Sequence, residues 1–381
     1  MKKIALSLAL VLALAGCKKQ PAPKTSASSS EASALAAATP VTGPFTDQEL
    51  PQFAALDPID THTHVFQVAP AYYAMLKRLN LHTLDIMLVD NYDPELKNLA
   101  KERKDAWKVV DGGNGYIAMC TTFDPFKFNQ PNFAKNANRL INEDFARGAV
   151  AVKIWKNVGM EIKDAKGNYI MPDNPVFEPI FKNIEAHNKT LIAHLADPNT
   201  IWEAPNPNAP DYDYYTHHPE LYMYNKPGAP SKAAILVARD HILDNNPNLR
   251  MVGAHLGSME ANFTQLAQHL DKYPNLAVDL AARMPYMEMQ PRANIIAFIE
   301  KYQDRLIYAT DNSLDVNSNA AETMKEWENR YANDWRFFAT DDVLEYHGHN
   351  VRGLALPQPI LRKLFHDNAV KWFPGILKKA H

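Results

Sequence analysis

Leu306-Ile307-Tyr308-Ala309, closed by Thr310-Asp311, is an apolar run without polar alternation. A strand with one wet face alternates apolar and polar residues, whereas a parallel strand under a helical layer is buried on both faces and reads as a continuous apolar run. Seven similar runs precede it: Asp57 to Val65, Thr83 to Val89, Gly115 to Phe123, Ala149 to Trp155, Thr190 to Leu195, Arg250 to Leu256 and Leu276 to Ala282. Helix-patterned stretches separate them. Pro94 to Val110 carries Leu96, Leu99, Ala100, Trp107 and Val110 at helical spacing, with Asp93 as an N-cap ahead of a proline at the first helical position. Ala233 to Leu243 and Met259 to Leu270 read the same way. Eight such alternations, with no repeat of fixed length, predict an α/β fold, a (β/α)8 TIM barrel, in preference to an open doubly wound sheet.

Two connections exceed a simple turn. Asp197 to Ser231 follows the fifth run, and Asn312 to Pro357 follows the eighth. Both are dense in aromatic residues, which argues against disorder, and both leave from strand C-termini, where barrel enzymes keep their sites. They are expected to be long insertions that either wall and cover the mouth or simply pack onto the body.

The 381 residues carry 40 basic and 43 acidic side chains, a net charge of -3, so nothing marks a nucleic-acid-binding face. Two cysteines, Cys17 and Cys120, exclude a disulfide framework. Lys2 and Lys3 precede an apolar run from Ile4 to Ala15, too short to span a bilayer and the right length for a signal-peptide core. Leu14-Ala15-Gly16-Cys17 resembles the lipobox of bacterial lipoproteins, which implies a lipid anchor on Cys17. Lys18 stands where an aspartate would resemble an inner-membrane retention signal, so the resemblance implies an outer-membrane protein of the cell envelope. Residues 18–44 are Ala, Ser, Pro, Thr and Lys with almost no large apolar side chain, and read as a disordered tether. The chain thus divides into 1–17, a lipoprotein signal peptide and lipobox; 18–44, a tether; and 45–381, the barrel.

Asp60-Thr61-His62-Thr63-His64 ends the first run. On a strand, His62 and His64 point to the same side with Cα atoms roughly 6 to 7 Å apart, so their rings can converge on one ion. His347 and His349 repeat the spacing, but in Gly-containing sequence that reads as a solvated turn. His194 ends the fifth run, His255 the sixth and Asp311 the eighth. Five metal-capable or proton-transferring side chains therefore sit at the same end of four strands, where a barrel brings them to one mouth.

The Asp-x-His-x-His run, the strand-end histidines, Ala254-His255-Leu256-Gly257-Ser258, the stretch from Asp304 to Asp311, and Asn368-Ala369-Val370 together resemble the amidohydrolase superfamily. The similarity is to the amidohydrolase-related branch that also holds aminocarboxymuconate-semialdehyde decarboxylase-like enzymes, and it covers about Leu56 to Phe373. It implies a divalent metal, usually zinc, held by His62, His64, His194 and Asp311, with Asp311 and His255 catalytic. Nitrogen and oxygen ligands do not by themselves exclude manganese or iron. Lys153 has three readings: a substrate or ligand-supporting contact, a carboxylated bridge to a second metal, or a structural ion pair. Arg283 is a candidate to grip a substrate carboxylate, and Asp279 or Asp60 to orient a ligand imidazole. Cys120 reads as a small buried hydrophobe.

There is no Gly-rich phosphate cradle after a strand and no Gly-x-Ser-x-Gly elbow. The expected function is a metal-dependent hydrolase using an activated water on a small amide, ester or lactone in the cell envelope. The alternative from the same branch is a metal-dependent decarboxylase of a small carboxylated substrate. A third reading is a binding lipoprotein that has lost turnover.

Overall fold

The computed structural model describes residues 29–91, 96–346 and 348–377. The leader, Cys17 and the first part of the tether lie outside the described residues, as do Asp93, Pro94 and His347. Nine parallel strands form one sheet: β1 (Ile59–Val65), β2 (His82–Ile86), β3 (Ile117–Thr122), β4 (Ala151–Ile154), β5 (Thr190–Ala193), β6 (Arg250–Gly253), β7 (Leu276–Asp279), β8 (Leu306–Ile307) and β9 (Asn312–Leu314). Their order is β8-β7-β6-β5-β4-β3-β2-β1-β9. β8 and β9 are two pieces of the expected eighth strand. The link between them still touches β1, for Thr61 N–H donates to the Tyr308 carbonyl at 3.2 Å and Asp311 N–H to the His62 carbonyl at 2.9 Å. One stretch thus meets β7 on one side and β1 on the other, which closes the sheet on itself. The break has a local cause: Asp311 sits at φ 66, a left-handed conformation that no strand continues through.

The core is double. Inside the ring, Ile59, Leu84, Ala118, Ile192, Ala277 and Ile307 meet one another and are plugged from below by Trp372 of the C-terminal helix, Asn368–Trp372, and by Phe373 just after it. Outside it, helices Pro70–Leu79, Leu99–Gly112, Phe133–Arg147, Glu178–Ala186, Lys232–Asn245, Phe263–Lys272 and Arg292–Tyr302 follow the first seven strands in turn. Phe133–Arg147 shows why: Phe133, Ala137, Ile141 and Phe145 recur every four residues and are buried as one stripe, and the helix stops at Gly148, whose φ of 117 suits only glycine.

Several boundaries differ from expectation. The second of these helices starts at Leu99, capped by Asn98, whose side chain accepts the Lys101 N–H at 3.1 Å. The sixth starts at Phe263, capped by Asn262, because the chain after β6 first turns through left-handed Leu256, Gly257 and Ser258. The tether is not wholly disordered. Ser29–Ala37 is helical, Asn350 Nδ2 donates to the carbonyls of Leu35 and Ala38, and Val41 N–H donates to the Val343 carbonyl.

The insertion after β9 is a 20-residue helix, Ala320–Ala339, followed by a hairpin of β10 (Val343–Tyr346) and β11 (His349–Arg352). His349 therefore opens a strand rather than sitting in a turn. Trp327, Tyr331, Trp335, Phe337 and Phe338 are all buried, so these aromatics pack the helix onto the barrel and do not form a lid. The insertion after β5 is mostly short turns and the helix Tyr212–His217.

Asp85 in β2 is buried; one oxygen accepts the Val65 N–H at 2.9 Å and the other has no partner among the described residues. Burial pushes its pKa up to about 8. The same carboxyl titrates near 4 in the unfolded chain, so folding takes up a proton between about pH 4 and pH 8. Its contribution to stability is greatest below that window, declines by up to about 1.4 kcal/mol per pH unit as pH rises through it, and levels off above. Asp85→Asn removes the uptake. Urea midpoints measured across the window should fall less steeply with pH in the variant than in the wild type; parallel curves would refute the assignment.

Candidate metal centre

Strand ends place the site. His62 and His64 leave β1 on one side, His194 follows β5, His255 follows β6 and Asp311 lies between β8 and β9. Just beyond these strands the backbone turns through left-handed conformations at Ala196 (φ 69), His255 (φ 59), Ala282 (φ 52) and Asp311 (φ 66). Each costs a non-glycine residue roughly 1–2 kcal/mol, and four together at one mouth are strain of the kind that sites retain.

His62 Nε2 lies 3.4 Å and His64 Nε2 3.5 Å from Asp311 Oδ1, and the ligand atoms of the three residues all lie within 4.8 Å of one another. Two ligands of a tetrahedral ion at about 2.1 Å stand about 3.4 Å apart. The two separations from Asp311 match that spacing, and this is the single group among the described residues that could hold a metal ion.

The tautomers agree. A carbonyl or carboxylate only accepts, so His62 Nδ1–H donates to Asp279 Oδ2 at 2.9 Å and His64 Nδ1–H to the Ile86 carbonyl at 2.8 Å. Both Nε2 lone pairs then face Asp311. Asp279 also takes the His255 N–H at 2.7 Å on its other oxygen, so one buried carboxylate fixes two site residues. Asp60 orients no imidazole. It accepts the backbone N–H of His62 and of Thr310, together with the hydroxyls of Thr310 and Tyr331, and so ties β1 to the barrel's closing strand.

His194 is held from the far side. Asp197 Oδ1 accepts its Nε2–H at 2.9 Å while Asp197 Oδ2 accepts Lys156 Nζ at 2.7 Å. Burial alone would raise the Asp197 pKa, but Lys156 and His194 outweigh it and keep the carboxylate ionised. His194 Nδ1 is left facing His255 Nε2 at 3.1 Å. His255 has already committed Nδ1–H to the Ala281 carbonyl at 2.9 Å. Two lone pairs confront each other there, an arrangement that a proton or a cation relieves. Burial keeps the rings neutral: it drives His194 down to about 3 and, with Lys153 nearby, lowers His62; His255 falls well below the usual range for the same cause, with His194 adding to it. Neutral imidazole is the form that binds a cation.

Lys153 Nζ lies 2.9 Å from His62 Nε2, and burial lowers its pKa to about 8. Arg283 is buried beside the mouth with Nη1 on its neighbour's carbonyl; among the described residues its Nε has no partner and no carboxylate hydrogen-bonds it. Cys120 is buried inside the ring. The sequence reading missed Asp197 and Lys156. An acidic residue three positions past a strand-end histidine was the available signal for the first; the second depends on the path of the loop after β4.

The family described as Amidohydrolase matches residues 59–375, essentially the whole barrel, and the chain belongs to it. Its superfamily comprises metal-dependent enzymes of small molecules, and the His-His-Asp group is where this chain offers a metal site. No curated protein matches the sequence. Among solved structures the chain is similar to an uncharacterised TIM-barrel protein from Bordetella bronchiseptica (TM-score 0.49, 13% identity, 84% of this chain and 99% of that one). It is similar also to a 5-carboxyvanillate decarboxylase from Novosphingobium aromaticivorans complexed with manganese and 4-hydroxy-3-methoxy-5-nitrobenzoic acid (TM-score 0.46, 13% identity, 83% and 95%). A third is a dihydroorotase from Campylobacter jejuni (TM-score 0.43, 11% identity, 83% and 82%).

Proposed function

We propose that the protein is a metal-dependent hydrolase of a small amide, ester or lactone, with His62, His64, His194 and Asp311 holding one divalent ion, zinc first. The observation that carries this is the 3.4 and 3.5 Å separation of Asp311 Oδ1 from two imidazole nitrogens whose tautomers are fixed outward. A bound divalent ion supplies Lewis acidity and brings the ionisation of a water from 15.7 toward about 7. The chain's own groups do the rest. Asp311, with its side chain 31% exposed, turns Oδ1 to the histidines and leaves Oδ2 to take the water's proton and return it to the leaving group. His255 offers Nε2 as an acceptor that orients a donor on water or substrate. To donate to a developing oxyanion, His255 must be protonated first. Lys153 Nζ lies 2.9 Å from the same His62 Nε2 that would hold the ion, so its ammonium form would compete with the ion for that lone pair, and its lowered pKa, which favours the neutral amine, supports the carbamate reading and with it a second ion.

Decarboxylation is the second reading, favoured by the buried Arg283 guanidinium, to which no carboxylate among the described residues hydrogen-bonds. The test is elemental analysis of the purified protein with a screen of amides, esters, lactones and carboxylated aromatics, with and without chelator. Chelator-sensitive hydrolysis supports the first reading; carbon dioxide release without hydrolysis overturns it in favour of the second. Arg283→Ala is expected to raise KM about 10- to 100-fold for a carboxylate-bearing substrate and to leave an uncharged ester unchanged, the size of a lost charge-assisted hydrogen bond. Equal effects on both would remove Arg283 from substrate binding. We place the enzyme in the cell envelope through a lipid on Cys17, on the strength of the Leu-Ala-Gly-Cys run behind a basic and apolar leader.

A further inference from the structure

Eight large apolar side chains are exposed among the described residues. Five of them stand on the connections that leave the C-terminal ends of strands: Val68 after β1, Tyr214 and Tyr224 after β5, Met289 after β7 and Val316 after β9. Met289 is 66% exposed and Val68 53%. The loops after β1 and β9 are tied together, Gln67 Nε2 donating to the carbonyls of Asp315 and Ser318, so Val68 and Val316 are presented by one fixed edge. Single exposed apolar residues are ordinary, but a set gathered around one end of a barrel marks a surface that meets something apolar.

The path of the N-terminal segment says what that is. Helix Ser29–Ala37 rests on the β10–β11 hairpin through Asn350. Tyr346, His349 and Val351 of that hairpin share a groove of about 570 Å³ with Pro207, Tyr212 and Met289, so the hairpin belongs to the mouth face. The chain therefore joins the body at the mouth and not at the base. Between Cys17 and Ser29 lie residues 18–28, a length that reaches at most about 40 Å when fully extended.

Resting on the reading of Cys17 as lipidated, we propose that the exposed rim residues Val68, Tyr214, Tyr224, Met289 and Val316 dock on the lipid surface that holds the anchor, setting the barrel mouth against the headgroups. The substrate class follows: an amphiphile whose reacting group lies at the membrane surface, reached without leaving it. Apolar side chains in such a contact sink into the boundary between headgroups and acyl chains.

The test uses the full lipidated chain on vesicles of phosphatidylethanolamine and phosphatidylglycerol. Cys120 is buried and the anchored Cys17 has no free thiol, so one introduced cysteine takes an environment-sensitive fluorophore selectively. Val316→Cys and Met289→Cys report the rim; Val370→Cys, on the C-terminal helix at the base, and Val237→Cys, on a flanking helix, are the controls. The rim labels should shift to the blue and be quenched by lipids brominated in their acyl chains, and the control labels should do neither. Retention on vesicles with all four labels responding alike overturns the docking alone. A rim shift that also appears in concentrated protein without vesicles overturns it in favour of a second copy of the chain. Vesicle retention that is the same for Cys17→Ser as for the natural chain, or absent from both, overturns the anchor and the docking with it.

Discussion

With His62 and His64 both replaced by alanine, the purified protein is expected to hold no stoichiometric divalent metal, where the natural chain is expected to hold about one ion, and to lose more than about a thousandfold in activity. Each histidine contributes an Nε2 lone pair whose direction is set from behind, by Asp279 for His62 and by the Ile86 carbonyl for His64. Removing both leaves Asp311 and His194, fewer ligands than a stable site needs. His62 is completely buried between Asp279 and Lys153, so its loss also strands a carboxylate and an ammonium group. His64→Ala alone is the gentler control. His64 is 9% exposed and its outer nitrogen serves only a backbone carbonyl, so the single variant should keep the natural melting temperature while its metal affinity falls. Elemental analysis after dialysis, read beside circular dichroism, separates lost metal from lost fold. A double variant that retains full metal would place the ion elsewhere and remove the basis of the proposed chemistry.

The parts of this site that the sequence exposed are those set by strand periodicity. His62 and His64 share a face because side chains alternate with period two, and His194, His255 and Asp311 were legible because each ends an apolar run. What lies beyond a strand end was not legible. Asp197 reaches His194 because the chain turns through left-handed Ala196, and Lys156 reaches Asp197 from a different loop. The i, i+3 spacing of His194 and Asp197 hints at the first contact, and no spacing rule carries the second. For the insertion after β9 the sequence leaves a mouth wall and packing onto the body both open. Trp327, Tyr331, Trp335 and Phe338 recur at intervals of four, four and three, a helical stripe that favours the second. They pack inward as the buried side of Ala320–Ala339. The tether shows the limit of composition: Ala and Ser gave it no core of its own, but Ser29–Ala37 needs only the hairpin beside it to be held.

Asp279→Asn is expected either to weaken metal binding about 10- to 100-fold or to destabilise the fold by about 1–3 kcal/mol, although the change replaces one oxygen by one nitrogen. The carboxylate accepts on both oxygens. Oδ2 takes His62 Nδ1–H at 2.9 Å, and Oδ1 takes the N–H groups of His255 at 2.7 Å and of Ala281 at 3.2 Å. An asparagine has one accepting oxygen, so whichever way its amide is turned, an NH2 group confronts a donor. Turned toward His62, it forces the proton from Nδ1 to Nε2, where it occupies the lone pair that faces Asp311. Turned toward the backbone, it confronts the N–H groups that hold His255 and the turn after β7. The first orientation predicts lost metal with nearly natural stability; the second predicts lost stability with metal affinity partly kept. Titration of the apo-protein with zinc, paired with urea unfolding of the apo forms, reads both quantities and identifies the orientation. Should the variant bind zinc as tightly as the natural chain and unfold at the same urea concentration, Asp279 would not be what fixes the His62 tautomer, and the fit of the three-residue group to a cation would lose its main support. Asp60→Asn provides the contrast within the same barrel. Two of the partners of Asp60 are the hydroxyls of Thr310 and Tyr331, which can reverse and accept from an amide, so that variant should keep both metal and fold.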